Sequence, residues 1–134
     1  MKGTLIGGLV ALVVGFLVGW YPESAKRATA EADAAATHKK LESTEQSLAI
    51  YTFRNRAALL HEVVESNDYA TGGQEATRLF TDMREFANKQ QAGPVRDGVE
   101  KLLGRRDAII AGLAKADPAV KADLRDLFMG MQKI

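Results

Sequence analysis

The sequence predicts an all-α chain, and three observations carry that expectation. Beyond position 47 the large apolar residues recur at intervals of three and four, the period of a helix face. The turn-forming clusters that divide them leave stretches of helical rather than strand length. Nowhere do apolar and polar residues alternate as they do in a half-buried strand. The expected architecture is a single N-terminal transmembrane helix over residues 1–21, a polar helical stalk over 22–47, and an antiparallel bundle of about four amphipathic helices over 48–134.

The anchor is read from the run between Leu5 and Trp20, which holds no charged or strongly polar residue. At 1.5 Å per residue it covers about 24 Å, or about 27 Å with Thr4 and Tyr21, which just crosses a bilayer core. A secretory signal peptide also opens with a basic residue ahead of an apolar run, but it needs a small-residue cleavage site close behind. Here Trp20-Tyr21-Pro22-Glu23 follow the run, and Ala28-Thr29-Ala30 come too late. A retained anchor is therefore expected, with Trp20 and Tyr21 as interfacial anchors at headgroup level.

Within the span, Thr4, Gly8, Ala11, Gly15 and Gly19 fall within an arc of about 80°. Such a membrane helix-packing stripe lets another backbone approach closely in lipid. The partner it fits is either an integral membrane subunit or a copy of this chain, a homo-oligomer. Orientation rests on Lys2 on one side against Lys26 and Arg27, diluted by Glu23, Glu31 and Asp33, on the other. A strict count of basic residues favours the domain inside, whereas the resemblance to a signal-anchor start favours it outside. The expectation is a bacterial inner membrane with the C-terminal domain in the periplasm.

Pro22 suits the first turn of a helix or a kink in a continuous one. From Glu23 to Ser47 there is no Gly or Pro and almost no large apolar residue. That composition is helical with little to bury, a stalk that crosses solvent or lies along a partner; a disordered linker is the competing reading. At Leu48 the pattern changes. Ile50, Phe53, Ala57, Leu60 and Val64 form an amphipathic seam, broadened by Leu59 and Val63. The helix should end near Ser66-Asn67-Asp68, with Asp68 capping a second helix that carries Ala76, Leu79, Phe80, Met83, Phe86 and Ala87. Gly72 and Gly73 are expected to weaken its first turn.

Gln91-Ala92-Gly93-Pro94 is a stop and restart. A third helix is expected from Pro94 to about Ala116, with Val95, Val99, Leu102, Leu103, Ile109, Ile110 and Leu113 at helical spacing. Asp117-Pro118 then offers a cap and a proline at the first helical position. The fourth helix bears Val120, Leu124, Leu127, Phe128, Met131 and Ile134. The stretch from Ala58 to Tyr69, with its Asp68-Tyr69 pair, resembles the helix turn of a tetratricopeptide hairpin over about one repeat. Gly72 replaces that family's alanine, and no second copy follows at the required period.

Charge and composition exclude several classes of function. The net charge is +1, and 17 of the 18 Lys and Arg lie beyond Lys2, equal to the 17 Asp and Glu, so no global pull toward nucleic acid follows. Arg54 with Arg56, and Arg105 with Arg106, read as solvated or salt-bridged pairs. The absence of cysteine removes disulfides, thiolate metal sites and a cysteine nucleophile. His38 and His61 are too far apart on one helix to share a metal, and of Glu62 and Glu65 only Glu65 lies one turn from His61. The ferritin-like Glu-x-x-His pairs are missing, as are nucleotide-binding glycine loops and nucleophile triads.

The expectation is thus no catalytic, metal or cofactor site, and no enzyme. The function expected is that of an accessory or scaffolding subunit of a larger membrane complex, such as a photosynthetic or respiratory one, whose partners are integral membrane subunits and the lipid bilayer. The alternative is a membrane-anchored periplasmic sensor or adaptor that binds a soluble partner.

Overall fold

In the computed structural model the chain is all-helical, and the structure describes residues 26–134 in full and residues 2–25 only as part of the first helix. Five α-helices are present among the described residues: α1 (Lys2–Glu65), α2 (Tyr69–Lys89), α3 (Pro94–Leu103), α4 (Arg106–Ala114) and α5 (Val120–Met131). The chain divides into two compact units, Met1–Thr44 and Glu45–Ile134. Among the described residues no helix is long and apolar enough to cross a membrane. The anchor expected at 1–21 lies outside the fully described residues, as do its Thr4, Gly8, Ala11, Gly15 and Gly19 stripe and its Trp20-Tyr21 belt.

In the first unit, residues 26–44 are helical and exposed throughout. Alanine, glutamate and lysine favour helix without needing a packed neighbour. Thr37 and Thr44 turn their hydroxyls onto their own helix, donating to the Asp33 and Lys40 carbonyls at 2.8 Å each.

The second unit is a helical bundle. Every residue of the Ile50–Val64 seam is buried, and the contacts of α1 with α2 run in opposite senses. Val64 lies against Gly72, the rings of Phe53 and Phe86 meet edge to face at 5.5 Å, Arg56 pairs with Asp82, and Gln46 bonds Gln90. As the α1 position falls the α2 position rises, so the two helices are antiparallel. The same rule links α3 and α5 through Gly98 with Ile134, Leu102 with Gly130, and Arg105 with Asp126. Two bonds tie α1 to α5, from Arg54 Nε to the Met131 carbonyl at 2.9 Å and from Lys121 Nζ to the Glu65 carbonyl at 3.4 Å, and Lys121 Nζ also donates to Asn67 Oδ1 in the following turn at 3.1 Å.

The α1–α2 turn follows from its residues. Asn67 takes φ 64°, a left-handed conformation that asparagine tolerates. The Asp68 N–H reaches the Val63 carbonyl and the Asn67 N–H the Val64 carbonyl, which closes the helix end. Asp68 then caps α2, its Oδ1 accepting from the Thr71 N–H at 3.0 Å. Hydrogen bonds from Thr71, the side chain first and then the backbone, hold the Asp68 carboxyl below its ordinary range. That cap is therefore complete above the ordinary carboxylate pKa and fades as pH falls through the lowered one.

Four expectations need correction. The single helix over 94–116 is two, because Gly104 ends α3 and the Arg105 N–H turns back to the Leu102 carbonyl at 3.1 Å. The apolar period passes through the break, with Val99, Leu102, Ile109 and Leu113 all buried. Asp117-Pro118 does not open α5; Asp117 Oδ1 accepts from the Ala119 N–H at 2.9 Å in a tight turn before Val120. Leu59 does not broaden the seam, being 56% exposed.

The fourth concerns Gly72, which is a point of close approach rather than a weak spot. A Cβ there would stand 2.6 Å from Val64 Cγ2, whereas one at Gly73 would meet nothing within 4 Å. Val64 is fully buried and its branched side chain has little rotamer freedom in a helix. Replacing Gly72 with Ala should therefore cost about 1–3 kcal/mol of overpacking, set against up to about 1 kcal/mol of helix propensity. Gly73→Ala should instead stabilise the bundle by about 0.5–1 kcal/mol. Urea unfolding of the two variants is expected to give opposite signs, and equal shifts would refute the close helix contact.

Candidate functional surface

The histidines do not converge. His38 is exposed on α1, whereas His61 is half-buried, its Nε2 3.9 Å from Glu65 Oε1 and its Nδ1 buried without a hydrogen-bond partner. Glu62 is exposed, and Glu65 is shared with Lys121, whose Nζ lies 3.7 Å from Oε2 and 3.4 Å from the Glu65 carbonyl. The carboxylate thus faces a fixed ammonium, which locks the end of α1 to α5. Among the described residues no group of three or more His, Asp or Glu is placed to hold a metal ion.

The basic pairs also resolve into structure. Arg54 reaches a backbone carbonyl, Arg56 and Arg105 pair with Asp82 and Asp126, and Arg106 Nη1 lies 3.7 Å from Asp107 Oδ1. A groove of about 390 Å³ runs between α3 and α5 past Gly98, Lys101 and Lys133, and the Arg105–Asp126 pair occupies one wall. It is open and shallow, with no buried polar group aimed into it. Among the described residues the core itself contains no buried polar or charged side chain.

What remains is an exposed apolar face. Of the five exposed large hydrophobic residues among those described, Leu41, Leu48, Tyr51 and Leu59 belong to α1 and Met129 to α5. Within the second unit, Leu48, Tyr51 and Leu59 lie on the side of α1 opposite the buried seam from Ile50 to Val64. An apolar row that the bundle leaves uncovered marks an interaction surface better than singly scattered residues do. Sequence reading missed it because Ala and Thr separate the large residues. The available signal was the spacing of seven and three from Leu41 to Leu48 to Tyr51.

No protein-family model, curated protein or solved structure matches the chain.

Proposed function

We propose that this chain is a non-catalytic, single-pass membrane protein that serves as an accessory or scaffolding subunit of a larger membrane complex. The anchor is the uncharged run from Leu5 to Trp20, long enough to cross a bilayer core. Its small-residue stripe docks on integral membrane subunits, and the bundle braces what they expose on the periplasmic side of the inner membrane. The observation that carries the reading is the uncovered apolar row on α1 beside a core with no buried polar group among the described residues. Specificity of this kind is for protein surfaces, not for a small polar substrate.

Alkaline carbonate washing tests the anchor. The full chain should stay in the membrane pellet, and a variant without residues 1–21 should appear in the supernatant with its helical signal intact. Release of the full chain by the wash would overturn the proposal.

A further inference from the structure

We propose that a small pocket beside Arg54 binds a carboxylate carried on a short apolar stem. The pocket holds about 190 Å³ and is lined by Gln46, Ser47, Ile50, Arg54, Val95 and Ile134, all within the unit Glu45–Ile134. The first four belong to α1, Val95 to the first turn of α3, and Ile134 follows α5. Sites for drug-sized ligands begin at about 300 Å³, so the occupant is smaller than those.

What singles out the pocket is a cation without a counter-ion. Among the described residues Arg54, Arg96 and Arg106 are the half-buried arginines. Arg96 Nε donates to Glu100 Oε1 at 2.8 Å, and Arg106 Nη1 lies 3.7 Å from Asp107 Oδ1. Among the described residues no carboxylate stands within ion-pair distance of Arg54, although withdrawing a charge from water without an opposite one is costly.

The guanidinium is also held in place. Its Nε donates at 2.9 Å to the carbonyl of Met131, the last residue of α5, where the helix itself leaves carbonyls unpaired. That bond takes one of five N–H donors and leaves those on Nη1 and Nη2. A planar fork fixed in advance loses little freedom when it pairs with a carboxylate through two parallel bonds. Beside it Gln46 donates Nε2 to Gln90 Oε1, and its amide carries a second N–H. No acid lines the pocket, and Ile50, Val95 and Ile134 give it an apolar wall. One cation, an amide and a hydrocarbon wall suit a carboxylate with an apolar stem, which satisfies the fork and covers the wall. Inorganic phosphate has no stem and would leave that wall wet. The same chemistry is offered by a free short-chain acid and by a glutamate side chain on a docked protein. The inference goes beyond the subunit role and does not rest on the membrane anchor.

The test is an NMR titration of the full, nitrogen-15-labelled chain in uncharged detergent micelles. The probes are sodium butyrate and, separately, glutamate blocked as its N-acetyl N-methylamide. The Arg54 Nε–H and Gln46 side-chain amide signals should shift and saturate. Followed at Gln46, Arg54→Met should weaken binding about tenfold or more, the loss expected of a charged hydrogen-bond partner. Val95→Phe, which fills the pocket and leaves the Arg54 bond to Met131 in place, should abolish it. Both variants should keep the circular dichroism spectrum of the parent. Saturation by butyrate alone identifies a free acid as the ligand, whereas blocked glutamate binding as tightly as butyrate identifies a protein side chain. Saturation by neither probe, an equal response to n-butanol or to inorganic phosphate, or unchanged affinity in Arg54→Met would overturn the proposal. None of those failures bears on membrane retention or on co-purification with other subunits.

Discussion

Replacing Phe80 with alanine should cost the bundle about 3–5 kcal/mol, the range for deleting a fully buried aromatic side chain. Phe80 is 0% exposed, and Ala76, Leu79 and Met83 beside it on α2 are equally withdrawn from solvent. The interior around it is close-packed, so the lost volume becomes a cavity that the helices refill only partly. Among the described residues every buried hydrophobic one, from Ile50 to Met131, belongs to the unit Glu45–Ile134, and that fragment is therefore expected to fold by itself. A domain of this size has a total stability on the order of 5–10 kcal/mol, so the substitution removes much of it. Urea titration of the fragment followed by circular dichroism should show one cooperative transition, shifted strongly downward in Phe80→Ala. A shift below about 1 kcal/mol, the scale of an ordinary surface change, would mean that the core is not packed as described.

The second large effect belongs to the proposed membrane helix. Gly15→Leu combined with Gly19→Leu should abolish lateral association while leaving insertion intact, since leucine raises hydrophobicity yet blocks close backbone approach. Native gels of detergent extracts should show the chain leaving the high-mass complex that the proposed function requires. An unchanged complex size in the double variant would remove the stripe as a docking surface.

Much of the bundle was legible in the sequence because its information is local. Asn67 and Asp68 carry the turn and the cap in their own side chains, and the seam from Ile50 to Val64 announces itself by period alone. The details that stayed hidden depend on partners distant in sequence. Gly72 reads as a weak helix former until Val64 is known to stand against it. The break at Gly104 is masked by an apolar period that runs through it. The α1 surface was obscured for a related reason: an exposed stripe acquires meaning only when the opposite face of the same helix is known to be buried. For His61, Glu62 and Glu65 the sequence offered a titratable cluster, and folding adds a distant partner, Lys121, that shares Glu65 with His61.

The most direct test of the central claim is purification of the unmodified chain from its native membrane in mild detergent, with mass spectrometry of everything that accompanies it. An accessory subunit should elute at a fixed ratio to integral membrane proteins. It should also remain bound in moderate salt, because apolar and small-residue packing is little affected by ionic screening. A chain that elutes with no other protein, its membrane helix intact, would contradict the account. Partners present at low, variable ratio and lost on washing would contradict it as well, and would point to the sensor or adaptor role instead.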